Sequence, residues 1–459
     1  MKERSSFGNR LGFVLAAAGS AVGLGNLWRF PYLAAKYGGG IFLLVYIVLA
    51  ITFGFALMIT EIAIGRKTRL SCIGAYKALD RRFGFLGYLA ALVPVIILPY
   101  YCVIGGWVIK YLAEFATGQA AAVAGDANGF FNTFITNQGS GLAQSPVLWF
   151  VLFVLATAGV VYFGVEKGIE KVSRVLMPVL VLLSIFVAIF SLTMPGAMAG
   201  LRYYLLPDFS KFSTTTVLAA MGQLFYSMSL AMGIMITYGS YMKKEDHLER
   251  SVAQIEIFDT GIALIAGLMI IPAVVAFSGG DPSAINAGPG LMFVTLPRVF
   301  DAMAFGDVIG TVFFVLVLLA ALTSSISLME TVVSIAQDKL RWPRRVALLV
   351  VTAGTIGLGL LSCLGYSPAF ADFAPLGLAF LDFFDFISNS VLMPITAILT
   401  CILVGHVVGV KVIADEVTAN GGPFRRRRLH AVMIRWIAPV LLVAILAGEL
   451  LRYLGIISI

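Results

Sequence analysis

Apolar runs long enough to cross a membrane alternate with short polar connections along almost the whole chain. A helix needs roughly 20 apolar residues to span the hydrocarbon core. By that measure the pattern predicts eleven spans, near 11–36, 40–64, 86–116, 146–164, 169–193, 216–241, 252–278, 306–336, 346–364, 374–405 and 432–456. The expected fold class is an all-α polytopic membrane protein, a single transmembrane domain over residues 1–459. Two spans break their own pattern. The first contains GSAVGLGNLWRFP at 19–31, with glycines, an asparagine, an arginine and a proline inside an apolar run. The sixth reads AAMGQLFYSMSLAMGIMITYGSYM, and Ser227, Ser229 and Gly233 interrupt its middle.

At membrane depth every backbone N–H and C=O needs a partner, so such interruptions call for a cause. Each has an ordinary one. Gly19 and Gly23 have the GxxxG spacing that lets helices approach closely, and serines in a membrane helix can bond back to their own carbonyls. Their places in the chain are more informative. If spans one to five (about 11–193) and six to ten (about 216–405) are related halves, followed by an extra helix (about 432–456), the two interruptions fall at the same position in each half. Paired interruptions of this kind point to an inverted-repeat transporter with its site at the membrane midplane, between broken helices 1 and 6.

Composition agrees: 60% of residues are hydrophobic and only 12% charged, with a mean hydropathy of +0.96, where a soluble domain is about a quarter charged. The net charge of +8 raises nucleic acid as a partner until its placement is considered. Basic residues gather in alternate connections, such as Arg66–Arg82, Lys243–Arg250, Lys339–Arg345 and Lys411–Arg428. The positive-inside rule then puts the N-terminus in the cytoplasm and, after eleven spans, the C-terminus outside, in a multi-pass protein of the plasma (inner) membrane. The Arg425–Arg428 run suits anionic lipid headgroups, and no nucleic-acid partner is expected. The four cysteines show no metal or disulfide spacing and are read as packing residues.

Several polar residues lie inside spans. Asn26 and Asp259 are costly in lipid and should face the interior. Thr323, Ser324 and Ser325 offer hydroxyls of the type a hard cation accepts beside backbone carbonyls, and Tyr101 places a phenol at mid-depth. Arg29 and Asp385 lie in spans of opposite direction and could form a breakable ion pair. Any one of these has an ordinary account as a satisfied core polar group; together they do not.

These residues bring the chain into line with a known family. It resembles the neurotransmitter:sodium symporters, and among them bacterial amino-acid transporters with the leucine-transporter fold, through AGSAVGLGNLWRFPYLAAKYGGGIF, YYCVIGGW, GIEKVSRVLMP, GQLFYSMSLAMG and ALTSSISLME in that order. The resemblance implies two sodium sites. The first would use Ala21, Asn26, Ser227, Asp259 and the substrate carboxylate; the second would use Gly19, Val22, Ala320, Thr323 and Ser324. The carboxylate would meet the Leu24 and Gly25 amides and the Tyr101 hydroxyl. The substrate ammonium would meet the carbonyls of Ala21, Tyr226 and Ser227 and the Ser229 hydroxyl. Ile97, Phe225, Tyr226, Ala231, Met232, Ser325 and Leu328 would form the apolar part of the pocket. Arg29–Asp385 would be the outer gate, and Arg4–Asp338, with Phe7 and Tyr241, the inner one.

Departures from the pattern refine the expectation. Monoamine transporters of this family carry an aspartate where this chain has Gly23, so the substrate should bring its own carboxylate. Ala231, where some relatives have glycine, should shorten the pocket and favour small or medium aliphatic side chains. Chloride-requiring relatives are neutral at Asp259, and Tyr46 and Gln223 match two positions of their chloride site. A fixed carboxylate there implies chloride independence and, once sodium leaves, a place for a proton, hence possible H⁺ counter-transport. Glu61 should hydrogen-bond one of the broken segments. Gly168 and Pro178 fit a hinge or an ordinary kink. The expected function is Na⁺-coupled uptake of neutral L-amino acids. The alternatives are symport of another small zwitterionic solute, or an amino-acid sensor that does not transport. An enzyme is not expected: there is no HExxH, and GLGNLW does not complete GxGxxG.

Overall fold

A computed structural model describes residues 5–281, 285, 288–370 and 373–456. Among these, eight helices are long and apolar enough to cross a membrane. In chain order with the remaining spans, α1 is the pair Arg10–Ala21 and Gly25–Lys36, bent by 54°. The next four are α2 (Gly40–Thr68), α3 (Arg81–Ala116), α4 (Pro146–Tyr162) and α5 (Val165–Leu192). The sixth, α6, is again broken, into Thr214–Ser227 and Ile234–Tyr241. Then follow α7 (Leu248–Phe277), α8 (Gly306–Leu340), α9 (Arg344–Leu364), α10 (Phe380–Val407) and α11 (Arg427–Tyr453). The three spans that miss the length test as single helices are the broken α1, the short α4 and the interrupted α6, so the order matches the hydrophobic pattern segment by segment.

Two groups of helices frame the site. Spans α3, α4, α8 and α9 pack on one another, while α1, α2, α6 and α7 form a second bundle against them. Their contacts rely on small residues. A methyl group added at Gly65 of α2 would lie 1.9 Å from the Ile236 carbonyl oxygen, and one at Gly239 of α6 would lie 2.3 Å from that of Ile62. The second half of α6 is therefore laid backbone-to-backbone along α2, as small-residue packing in membranes permits. Gly168 lies in a widened turn at the start of α5, and the helix runs on through Pro178.

The long connections carry short helices, including Ala127–Ile135 and Ala197–Leu205. The connection after α7 carries the helical turn Leu291–Thr295 and the helix Leu296–Asp301. Phe293 of that turn is an aromatic hub, with ring centroids 5.8 Å from Trp107, 4.9 Å from Tyr111, 5.4 Å from Phe131 and 6.4 Å from Trp28. A buried ion pair closes the basic end: the Arg66 guanidinium meets the Glu416 carboxylate at 2.8 Å and donates to the Asp246 carbonyl at 2.8 Å.

The packing gives a direct expectation. Gly65→Ala should destabilise the protein by about 1–3 kcal/mol, the usual range for overpacking against a neighbour that cannot yield. Gly357→Ala, which meets nothing within 4 Å, should be silent. Thermal unfolding in detergent compares the two, and equal midpoints would contradict the packing described.

Candidate functional site

The site begins where α1 stops. Val22 leaves the helix with an extended ψ of 99°, its N–H still bonded to the Ala18 carbonyl. The chain resumes through the wider turn Gly25–Arg29. Amides exposed by the break are taken up by side chains: Gly23 N donates to Asn26 Oδ1 at 3.1 Å and Leu24 N to the Tyr101 hydroxyl at 3.3 Å. In α6 the break contains three residues with left-handed backbone, Ser229 (φ 53°), Ala231 (φ 59°) and Gly233 (φ 70°). Ala231 N donates to Glu61 Oε1 at 2.7 Å, so α2 supplies the partner expected for a broken segment. The two breaks also hold each other, since Ser229 Oγ donates to the Ser20 carbonyl at 2.9 Å.

Asn26, Ser227 and Asp259 meet as one buried cluster. Asn26 Nδ2 donates to Asp259 Oδ1 at 2.8 Å and to Ser227 Oγ at 3.1 Å, and Ser227 Oγ donates to Asp259 Oδ1 at 2.8 Å. The other carboxylate oxygen, Asp259 Oδ2, is buried and has no hydrogen-bond partner among the described residues. A buried carboxylate with one bare oxygen is a strong cation acceptor. Tyr46 Oη stands 3.4 Å from Ser227 Oγ, and Gln223 Nε2 donates to the Gly25 carbonyl at 3.0 Å.

A second oxygen cluster joins α8 to the first break. Ser324 Oγ lies 3.4, 3.1 and 3.3 Å from the carbonyls of Gly19, Ser20 and Val22. Thr323 Oγ1 is 3.1 Å from the Ala320 carbonyl, and a Cβ at Gly19 would sit 3.1 Å from Thr323 Cβ. Hydroxyls and carbonyls alone make a hard-cation donor set. Among the described residues no group of three His, Cys, Asp or Glu side chains could hold a metal ion.

Between these clusters lies a cavity of about 30 Å³ lined by Ala21, Leu24, Gly25, Asn26, Ile97, Tyr101, Tyr226, Ser227, Ser229, Met232, Ser324 and Leu328, together with Ser20, Gly23 and Ile234. Three residues predicted for the pocket stand outside it. Phe225 turns to a larger cavity and packs against Phe53 at 6.5 Å. Ser325 faces α4, 2.9 Å from Thr157 Oγ1, because one step along α8 rotates a side chain by about 100° away from Ser324. Ala231 is turned away by its left-handed backbone and does not line the pocket, so its methyl cannot shorten it as predicted. The residues missed were Ser20 and Ile234. In an unwound segment successive side chains diverge, so Ser20, lying between two predicted ligands, was a legible candidate.

Above the pocket, a cavity of about 330 Å³ is lined by Arg29, Tyr226, Asp385, Gly288 and Pro289 among others. Tyr226 lines both cavities and separates them. Arg29 and Asp385 face this space without an ion pair between them. The Arg29 guanidinium lies 5.4 Å over the Tyr226 ring, and Asp385 accepts from Tyr100 Oη at 3.1 Å and Asn389 Nδ2 at 2.6 Å. On the opposite side the chain is shut: Phe7 is buried, with ring contacts to Phe13, Tyr238 and Tyr241. Arg4 lies outside the described residues; Asp338 accepts from Ser71 N at 2.7 Å.

Comparison with known proteins agrees with this geometry. The pattern of the sodium:neurotransmitter symporter family matches residues 4–138 and 126–456. The chain belongs to that family. This symporter is 35% identical over 465 residues to the uncharacterized sodium-dependent transporter YhdH of Bacillus subtilis, covering 98% of each chain. It is 26% identical over 408 residues to the sodium- and chloride-dependent GABA transporter 2 of Rattus norvegicus, covering 78% of this chain and 67% of the relative. Among solved structures it is similar to MhsT in complex with L-phenylalanine, with 36% identity, a TM-score of 0.86, and coverage of 97% of this chain and 100% of that one. It is a sodium-dependent symporter and a multi-pass membrane protein, with the leucine-transporter fold. Its family is one of transporters, not enzymes.

The two oxygen clusters predict separable losses. Asn26→Ala and Thr323→Ala each remove one oxygen donor worth about 1–2 kcal/mol, so half-saturating sodium for transport should rise about five- to thirtyfold. Sodium titration of uptake measures this; unchanged sodium affinity in both variants would mean the clusters do not hold the ion.

Proposed function

We propose that this symporter couples Na⁺ entry to the uptake of neutral, mainly aliphatic L-amino acids by alternating access, with two sodium sites and no requirement for chloride. The observation that carries the reading is the acid missing at Gly23. A Cβ built there would lie 2.7 Å from Ser324 Oγ and 3.1 Å from the Tyr101 hydroxyl, so the space is closed to an aspartate. Negative charge for the pocket then comes from the substrate. Its carboxylate would take the Leu24 and Gly25 amides and the Tyr101 hydroxyl, at the positive end of a half-helix. Its side chain would lie against Ile97, Met232, Ile234 and Leu328, none of them charged. The L-phenylalanine in complex with MhsT supports a neutral amino acid with an apolar side chain.

Asp259 supports independence from chloride. Two cations and a zwitterion leave positive charge in a medium where charges interact strongly, and a fixed carboxylate beside the first ion replaces an anion from solution. When the ion departs, that carboxylate takes a proton and returns it across the membrane. The basic face, which carries the N-terminus, is the cytoplasmic side of the plasma membrane; the wide cavity faces outward and the C-terminus lies outside. Tyr226 already lies over the pocket, and with substrate and sodium bound Arg29 moves onto Asp385 above it. The cytoplasmic side, held by Phe7 and Tyr241, opens afterwards.

The test is uptake of labelled L-leucine into proteoliposomes under an inward sodium gradient. Replacing chloride by gluconate should leave the rate unchanged, and an outward proton gradient should raise it. Uptake that vanishes without chloride would overturn the role given to Asp259.

A further inference from the structure

Away from the transport pathway, the outer half of α2 and the turn leading into α6 enclose a groove of about 490 Å³. Its lining is entirely apolar and includes Ile41, Leu44, Val48, Phe209, Phe212 and Val217. Leu44, Val48, Phe209 and Phe212 are among the exposed large hydrophobic residues. They lie on a membrane span and the segment at its boundary, so what covers them is the bilayer. Two ammonium groups stand at the end of the groove where α1 finishes and α2 begins. Lys211 Nζ lies 4.8 Å over the Tyr203 ring, and Lys36 Nζ lies 5.2 Å over Tyr37 and 5.9 Å over Tyr32.

These features are physically joined. Tyr203 donates its hydroxyl to the carbonyl of Ala35, the neighbour of Lys36, at 2.5 Å. A Cβ at Gly38 would touch Lys211 Cβ at 3.0 Å on one side and Ile41 of the groove at 2.8 Å on the other. Among the described residues neither lysine makes a salt bridge, although Lys211 lies near enough to Asp208 to feel its charge. The nearby Asp208 spends its carboxylate on Ser210, accepting from N at 3.0 Å and Oγ at 2.6 Å. A dry channel ending in two cations without salt bridges matches one kind of bilayer molecule. We infer that this groove binds an anionic glycerophospholipid of the leaflet opposite the N-terminal face, with an acyl chain along α2 and its phosphate between Lys36 and Lys211. The turn at Phe209–Lys211 leads directly into the first half of α6, so an occupied groove braces the entry to a helix that must tilt during transport.

Native mass spectrometry of the full chain, equilibrated in mixed micelles with equimolar phosphatidylglycerol and phosphatidylcholine, tests this. The native chain should retain phosphatidylglycerol preferentially. Surface attraction of a basic residue for anionic lipid corresponds to about fivefold per lysine, so Lys36→Gln with Lys211→Gln should lower that preference about 25-fold. Val48→Trp, which fills the groove, should lower retention of both lipids. If the double variant does not fold, Lys211→Gln alone, in an exposed turn, should show the single fivefold loss. A headgroup preference that survives the lysine changes, or retention unaffected by Val48→Trp, would overturn the assignment.

Discussion

Everything in this structure depends on how backbone groups are satisfied at the middle of a membrane. An unbroken helix satisfies itself; two broken ones do not, and lipid offers no water to compensate. Here the breaks of α1 and α6 are answered by the Tyr101 hydroxyl, the Glu61 carboxylate, the Asn26 side chain and the Ser20–Ser229 contact between the breaks themselves. These partners do not use up the groups set free. Carbonyls of Gly19 and Val22 crowd toward one hydroxyl, and one oxygen of Asp259 has no hydrogen-bond partner among the described residues. The incomplete satisfaction is what the proposed function rests on, because an ion or a zwitterion would complete it.

The arrangement also explains how one molecule can couple two cargoes. One of the two oxygen clusters is built across helices of different groups. Ser324 belongs to α8 in one bundle and the Gly19 carbonyl to α1 in the other, so a cation between them favours a particular relation of the two bundles. Asn26 and Asp259 lie within a single bundle and stand beside the substrate pocket. On the proposed function, an ion there would act on the substrate, whereas an ion at α8 would act on the bundle geometry. Tyr226 lies between the pocket and the outer cavity, and Arg29 rests on its ring rather than on Asp385. The conformation is therefore open on one face and closed on the other.

Much of this was legible in the sequence, because hydrophobic length and interruption are direct consequences of the bilayer. The eleven spans, both breaks and the inward placing of Asn26 and Asp259 follow from what is costly in lipid and therefore conspicuous, whereas the convergence of these two with Ser227 was implied by the family resemblance. What was not legible is angular. Ser324 and Ser325 are the same residue type one position apart, and only the rotation of α8 sends one to the break and the other to Thr157. Phe225 and Tyr226 differ in the same way, one in the outer cavity and the other dividing it from the pocket. Ala231 does not line the cavity, and its left-handed backbone leaves no trace in composition. That Arg29 rests on the Tyr226 ring and not on Asp385 depends on how the helices sit, which residue identity does not encode.

The central claim is that the substrate carboxylate supplies the charge that Gly23 lacks. Equilibrium binding of L-leucine and of its decarboxylated analogue isoamylamine, both at saturating sodium, tests it most directly. A site built to hydrogen-bond a group discriminates against a ligand lacking it by about 10⁴-fold, so leucine should bind and isoamylamine should not compete at comparable concentration. Equal affinity of the two would contradict the account.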